Sequence, residues 1–204
     1  MKLYNSIGPN PKVVRMFLAE KGLELETTEI DLPGLENRRA PYLSEVNPAG
    51  QCPALELDDG AIVTEITAIC EYIEDVQPAP PLIGATAAEK AETRMWTRRI
   101  DLNIAEPLTN GFRYSDGLDF FTPRFRCIPE AADGLKAVAQ DKIAWLDGLM
   151  AGKSFVAGDR FTLADVMLFV FLEFGERVGQ PVPEACQNIK SWYARIAERP
   201  SASA

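Results

Sequence analysis

Near the start of the chain, the apolar positions change from a strand pattern to a helical pattern and back. The pattern predicts strands at residues 2–5 and 25–31, with a helix between them. Four apolar residues form one stripe of that helix: Val13, Val14, Phe17 and Leu18. Pro11 is predicted to open the helix, with Asn10 as its N-cap, because proline is favoured at the first helical position. Gly22 is predicted to end it.

A hairpin and a second helix follow further along. Residues 54–57 and 61–63 are predicted as strands joined by an Asp-Asp-Gly turn, since Asp-Gly between apolar runs favours a hairpin. The next apolar residues recur at helical spacing: Ile66, Ile69, Cys70 and Ile73. They predict a helix over residues 65–75, with Thr64 as N-cap and Glu65 in its first turn.

The order of these elements divides the chain. Strands and helices alternate over residues 1–77, which predicts a mixed sheet covered by helices. Prolines at 78, 80 and 81 mark a linker over residues 78–86. Residues 87–204 are predicted to form an all-helical domain, with helices at 87–105, 129–150, 163–175 and 183–198.

The segment around Thr162 carries a clear local signal. Thr162 and Asp165 have the spacing of a capping box, and Phe161 and Val166 that of a hydrophobic staple. Residues 166–172 are apolar nearly all round, so this helix is predicted to be buried.

Composition excludes several classes of function. The chain has 204 residues, 47% of them hydrophobic, and a net charge of -9, which argues against nucleic acid or an anionic membrane as main partner. It has no histidine and no paired-cysteine motif, which removes support for metal sites and for Ser-His or Cys-His catalysis. We expect no membrane span and, with the start lacking a secretory signal, a cytoplasmic protein with reduced thiols.

The stretch NPAGQCPAL at residues 47–55 carries the most information. Pro48 and Gly50 favour a turn, and the residue before a proline is held extended. The backbone N–H and C=O of Cys52, ahead of Pro53, would therefore be free to pair with an extended peptide, and Pro53 is a candidate cis residue. Alone, the stretch also fits an ordinary loop leading into a strand.

The whole chain resembles the cytosolic glutathione transferases, most closely the atypical yeast-type branch and its bacterial relatives. Five features carry the resemblance in order: the strand-loop-helix at residues 2–22, NPAGQCPAL, TEI leading to AICEYIED, the proline linker, and SFVAGDRFTLADV. It implies an α/β plus all-α protein, with an N-terminal thioredoxin-like domain and a C-terminal all-helical domain. It also implies a homodimer and a role in detoxification.

The resemblance assigns residues to glutathione. Cys52 and Pro53 would hold its cysteinyl backbone, and Glu65 would face its ammonium group. The following helix N-terminus, beginning with Ile66, suits the α-carboxylate. Arg38 and Gln51 occupy positions that approach the peptide in related enzymes, although Arg38 and Arg39 also fit a solvated surface pair.

Ile66 departs from the family pattern, which has serine there. Losing that hydroxyl would weaken the bond to the ligand carboxylate by about 1.5 to 3 kcal/mol.

The reaction needs a thiolate. Ser6, supported by Asn10, is the candidate donor, and a mechanism with no side-chain donor stays an alternative. The branch's histidine is missing from residues 111–115, where Arg113, Tyr114 or Ser115 would have to substitute.

The electrophile is expected between the domains, near aromatic residues that could also be core: Phe112, Tyr114, Phe120 and Phe121. The predicted function is conjugation of glutathione to small apolar electrophiles. Two alternatives stay open: a glutathione-dependent disulfide or peroxide reductase using Cys52, and a non-catalytic binding protein of the same fold.

Overall fold

A four-stranded mixed sheet lies at the centre of the N-terminal unit in the computed structural model, which describes residues 1–204. Its strands are β1 (Lys2–Asn5), β2 (Glu26–Glu29), β3 (Ala54–Glu56) and β4 (Ile62–Thr64). They are arranged in the order β2-β1-β3-β4. β1 runs parallel to β2 and antiparallel to β3, and β3 runs antiparallel to β4. Helices α1 (Pro9–Lys21) and α2 (Ile66–Val76) complete the predicted thioredoxin-like order.

The strand register places three chain segments at one edge of this sheet. Ala54, the first residue of β3, is paired with Tyr4 of β1 and with Thr64 of β4. Since β3 is antiparallel to both neighbours, β1 and β4 end where β3 begins. We call this the site edge.

The starts of both helices differ from the sequence predictions. α1 begins at Pro9, not Pro11, because Gly8 adopts φ 108° and turns the chain into the helix two residues earlier. Asn10 is thus inside the first turn and is not the N-cap. Thr64 is not the N-cap of α2 either, because it is paired in β4, and Glu65 takes the cap position.

A buried ion pair joins the C-terminal parts of α1 and α2. Lys21 pairs with Glu74, and both side chains are at most 5% exposed. The Lys21 ammonium also donates to the backbone oxygens of Gln77 at 2.7 Å and Pro80 at 2.6 Å. The buried cation therefore has an acceptor for each of its three N–H bonds.

The second unit, residues 82–202, has helices as its regular elements and no strand. They are α3 (Ala87–Ile100), α4 (Glu106–Arg113), α5 (Leu118–Phe121), α6 (Ala132–Leu149), α7 (Leu163–Arg177) and α8 (Gln187–Ala197). This confirms the predicted all-helical character, although α4 and α5 were not predicted. A π-helical turn at Asp101–Ala105 joins α3 to α4. None of the helices combines the length and apolar character of a membrane-crossing segment.

The capping box at the start of α7 is confirmed. The Asp165 carboxylate is fully buried and accepts from the N–H groups of Val156 and Thr162, each at 2.9 Å. It also accepts from the Thr162 hydroxyl at 3.1 Å and the Trp192 indole at 2.9 Å. The apolar residues after it, from Val166 to Leu172, are all buried, as predicted.

Candidate active site

Three segments of the N-terminal unit meet at the site edge: the loop after β1, the residues before β3 and the residue after β4. The first contains Ser6 and leads to α1, the second is Cys52–Pro53, and the third is Glu65. The Cys52–Pro53 peptide bond is cis, which confirms the prediction for Pro53.

The turn before Cys52 is fixed by side chains from neighbouring loops. The Tyr42 hydroxyl and the Asn47 amide both donate to the backbone oxygen of Gln51, at 2.6 and 2.9 Å. The Asn37 amide donates to the oxygen of Gly50 at 2.6 Å. Gly50 adopts φ 61°, and a Cβ there would lie 2.9 Å from the Asn37 carbonyl oxygen, so glycine is needed. The backbone leading to Cys52 is therefore held in place, while the Gln51 side chain is exposed.

Arg38 also contacts this turn. Its guanidinium donates to the backbone oxygen of Ala49 at 3.2 Å, and the residue is half-buried. Arg39 is exposed and donates to the oxygen of Gly34. Arg38 is therefore more than a solvated surface charge, whereas its contact with a glycyl carboxylate stays a prediction.

The backbone of Cys52 has unpaired polar groups, whereas its thiol is buried. Its main-chain N–H and C=O make no hydrogen bond within the chain, as a backbone clamp requires. The residue is only 8% exposed, and its thiol donates to the Tyr42 hydroxyl at 3.3 Å. Burial raises the pKa of Cys52, and the hydrogen bond with Tyr42 only partly offsets the rise. The thiol is thus poorly suited to act as a nucleophile.

Glu65 stands at the start of α2 in an unusual backbone conformation. Its φ is 69° and ψ 125°, a region that costs a non-glycine residue about 1 to 3 kcal/mol. The carboxylate is exposed and does not cap the helix. The first α2 amide with an acceptor is that of Ile69, which donates to the Glu65 oxygen at 2.9 Å. The N–H groups of Ile66, Thr67 and Ala68 are therefore available to an anion.

The two candidate thiolate donors differ in availability. The Ser6 hydroxyl donates to the backbone oxygen of Ile30 at 2.6 Å, and Ser6 is only 3% exposed. Ser6 would have to break this bond to serve a thiolate. Asn10 is half-buried in the first turn of α1, between Pro9 and Pro11, which have no N–H. Asn10 therefore offers that turn both a main-chain N–H and a side-chain amide.

The aromatic residues predicted near the electrophile belong to the helical unit. Five phenylalanines form the aromatic cluster: Phe112, Phe120, Phe121, Phe125 and Phe174. The Phe121 ring is at the centre, in contact with Phe112, Phe120 and Phe125, and the Phe112 ring connects it to Phe174, 6.1 Å from Phe121 and 5.3 Å from Phe174. Tyr114 is half-buried at the end of α4 and takes no part in these ring contacts. The rings thus combine core packing with partial exposure.

Sequence reasoning missed two residues at the site edge. Thr67 has a hydroxyl and directly follows Ile66, which has none. The sequence TEIT at residues 64–67 shows this hydroxyl and could have been used to find it. Tyr42 had no such signal, because its partners Gln51 and Cys52 are reached only through folding of the loop.

Both units match models of known domains. Residues 7–76 match the N-terminal domain of glutathione S-transferase, and residues 129–200 match its C-terminal domain.

Full-length relatives agree with these matches. The chain is 34% identical to glutathione S-transferase 2 of Saccharomyces cerevisiae, over 95% of this chain and 84% of the relative. It is 30% identical to glutathione S-transferase GstA of Escherichia coli, over 98% and 94% of the two chains.

A solved structure shows the same fold over the full length. The crystal structure of Gtt2 from Saccharomyces cerevisiae superposes with a TM-score of 0.93 at 32% identity, covering 100% of this chain and 99% of that one. Together with the domain matches and the relatives, this shows that the chain is an enzyme of the glutathione S-transferase family.

Proposed function

We propose that this enzyme conjugates reduced glutathione to small, largely apolar electrophiles through a stabilised thiolate. The observation that carries the proposal is the site edge. There an exposed carboxylate, three free amides of α2 and the free backbone of Cys52 lie side by side. A γ-glutamyl peptide needs these partners: an anion for its ammonium, N–H groups for its carboxylate, and a strand edge for its backbone.

The glutathione contacts follow from this arrangement. Glu65 binds the ammonium group, and the amides of Ile66 and Thr67 bind the α-carboxylate. Cys52 and the cis Pro53 pair with the cysteinyl backbone. Arg38 and Gln51 lie along the same turn, on the side of the glycyl end.

The chemistry is substitution or addition by sulfur. The bound thiol gives its proton to solvent, and the sulfur electron pair forms a C–S bond with the electrophile. In a substitution, the leaving group departs with the electrons of the broken bond. In an addition, the π-electron pair moves to the far atom of the double bond, which then takes a proton from solvent. Lowering the thiol pKa by about two units takes roughly 2.7 kcal/mol of stabilisation. We assign this to the α1 N-terminus and Asn10, with Ser6 as a donor only if its hydroxyl leaves Ile30. Phe112 and Tyr114 are the proposed contacts of the electrophile.

Two assays test the proposal together. Retention on immobilised glutathione, followed by turnover of a neutral aryl halide, supports conjugation. Absence of both retention and turnover contradicts conjugation and supports a non-catalytic binding protein. The presence of Ile66, which lacks the serine hydroxyl, favours this alternative. Retention with reduction of disulfides or peroxides, but no conjugation, supports the reductase alternative.

A substitution of Cys52 distinguishes conjugation from the reductase alternative. Replacing Cys52 by Ala should leave conjugation unchanged, because only the backbone of this residue is used. Stability should fall by about 1 kcal/mol, since a small cavity forms beside Tyr42. Conjugation and disulfide-reduction rates measured on the same preparation check this. A conjugation rate that falls with the reduction rate would mean that the thiol takes part.

Thr67 is proposed to supply the hydroxyl that Ile66 lacks. It follows Ile66 at the second position of α2, is half-buried, and its hydroxyl makes no hydrogen bond within the chain. Thr67→Val should therefore raise the Kd for glutathione about tenfold, because one bond to a charged group is lost. Thr67→Ser should retain affinity.

A rescue variant provides the matched control. Ile66→Ser restores a hydroxyl at the neighbouring position, so the double variant Ile66→Ser, Thr67→Val should recover most of the affinity in calorimetric titration. Equal affinity of Thr67→Val and the wild-type enzyme would show that Thr67 makes no such contact.

A cytoplasmic homodimer acting in detoxification completes the proposal. All four cysteines are free, which fits a reducing compartment. Two large apolar side chains are exposed, Met95 of α3 at 42% and Leu102 of the following π-helical turn at 52%, and offer a surface for a second copy. Sedimentation of a monomer at micromolar concentration would contradict the dimer.

A further inference from the structure

Arg113, in the helical unit, is a half-buried cation whose guanidinium makes no direct ion pair with a carboxylate and lies against two phenylalanine rings. It is the last residue of α4, and its guanidinium carbon lies 5.5 Å from the ring centre of Phe121 and 5.7 Å from that of Phe125. Both distances are within the range of cation–π contact. The guanidinium is thus placed against two members of the aromatic cluster.

A hydrogen-bonded relay along α4 fixes the position of this guanidinium. Arg113 donates to the Asn110 side-chain oxygen at 3.0 Å, and the Asn110 amide donates to Glu106 at 2.7 Å. Glu106 makes no direct ion pair with the guanidinium and is connected to it by hydrogen bonds through Asn110, although its negative charge still favours the charged form of Arg113. One of the five guanidinium N–H groups is used in this way, and the planar fork retains donors for an anion.

The surroundings make an unpaired cation costly. Arg113 is half-buried, and burial lowers the pKa of its guanidinium. Some other cations of the same unit have direct carboxylate partners, such as Arg160 with Glu92 at 3.2 Å and Lys136 with Asp116 at 3.3 Å, whereas the half-buried Arg99 stacks on Trp96 without one. A half-buried charge without such a partner suits a site completed by an anionic ligand.

We propose that Arg113, with the faces of Phe121 and Phe125, binds the carboxylate of an aromatic electrophile. The enzyme would accordingly prefer aryl carboxylates to neutral aryl compounds of the same shape. Arginine suits this role because its planar fork matches a carboxylate and stacks on aromatic faces. This inference rests on the proposed function and narrows its substrate class.

A pair of substrates tests the preference. One is a chloronitrobenzoate and the other its neutral amide, and both react by forming a C–S bond and releasing chloride with the C–Cl electron pair. Each rate is divided by the uncatalysed rate with glutathione, which removes differences in intrinsic reactivity. Arg113→Met should lower the benzoate-to-amide ratio of kcat/KM by about 10- to 100-fold, mainly through KM for the benzoate. Arg113→Lys should recover part of the ratio.

Arg126→Met is the matched control. Arg126 is an exposed arginine of the same unit, so this variant removes the same charge as Arg113→Met. It should leave the ratio unchanged. An unchanged ratio in Arg113→Met, or an equal fall in Arg126→Met, would overturn the inference.

A binding measurement keeps this test separate from the proposed function. Nitrobenzoate without the chloride cannot react, and its Kd can be measured by calorimetry in the absence of turnover. If neither the chloronitrobenzoate nor its amide is turned over, the proposal that the enzyme conjugates glutathione is contradicted. Weaker nitrobenzoate binding in Arg113→Met than in Arg126→Met would still support the carboxylate site, and equal binding would refute it.

Discussion

Replacing Glu65 by Ala should weaken glutathione binding by about 100-fold. The exposed carboxylate is proposed to make a charge-assisted hydrogen bond to the ligand ammonium, at the upper end of about 1.5 to 3 kcal/mol. Calorimetric titration gives the Kd directly, and the KM for glutathione should rise in parallel. Glu65→Gln, which retains an acceptor without the charge, should fall between Ala and the wild-type residue.

The backbone of Glu65 supplies an internal control. With φ at 69°, this position favours glycine over any residue that has a Cβ. Glu65→Gly should therefore lose as much affinity as Glu65→Ala while being more stable than Glu65→Ala in urea unfolding. Glu45→Ala removes an exposed carboxylate from the same unit and should leave affinity unchanged. Wild-type affinity in Glu65→Ala would refute the assignment of the ammonium partner.

The largest expected effect on stability concerns Asp165, at the start of α7. Asp165→Ala leaves four donor groups without their acceptor, from Val156, Thr162 and Trp192. Each buried unpaired group costs about 1 to 3 kcal/mol, so the free energy of unfolding should fall by about 4 kcal/mol or more. Urea unfolding followed by tryptophan fluorescence measures it. A loss below about 1 kcal/mol would show that the buried carboxylate contributes little.

The pH dependence of stability provides a second readout at Asp165. Burial raises the pKa of Asp165 to about 6, while the four hydrogen bonds act in the opposite direction. Between the unfolded value near 3.9 and about 6, the folded state binds more protons, so stability falls as pH rises through this window. The loss of folding stability across this pH window is about 3 kcal/mol, and it is absent in Asp165→Asn because asparagine does not titrate. The stability difference between the wild-type enzyme and Asp165→Asn should thus shrink with rising pH, and a constant difference would contradict the raised pKa.

Local patterns predicted much of the fold. The Asp-Asp-Gly hairpin, the stop at Gly22 and the capping box of Thr162 each depend on neighbours within a few residues. The cis bond before Pro53 was predicted in the same way. The helix starts were predicted wrongly where a non-local constraint decides: Thr64 looked like an N-cap, but its pairing with Ala54 keeps it in β4.

The backbone positions of the candidate site residues were easier to predict than their hydrogen bonds, and their roles in binding glutathione stay predictions. Glu65 and Cys52 could be selected from the sequence because the turn and the helix start are local. That the Ser6 hydroxyl would be used by Ile30 could not be predicted, since that contact joins the ends of β1 and β2. The same holds for Arg113, whose ring contacts arise only when the segment after α4 folds over it.

Titration of the bound thiol tests the central claim most directly. The thiolate absorbs in the far ultraviolet, so the absorbance of the enzyme–glutathione complex, minus that of the free enzyme, can be followed against pH. Binding at the site edge with the sulfur near the α1 N-terminus predicts an apparent pKa about two units below that of the free thiol. Saturating glutathione whose thiol titrates at its free value, or an enzyme that does not bind glutathione, would contradict the account.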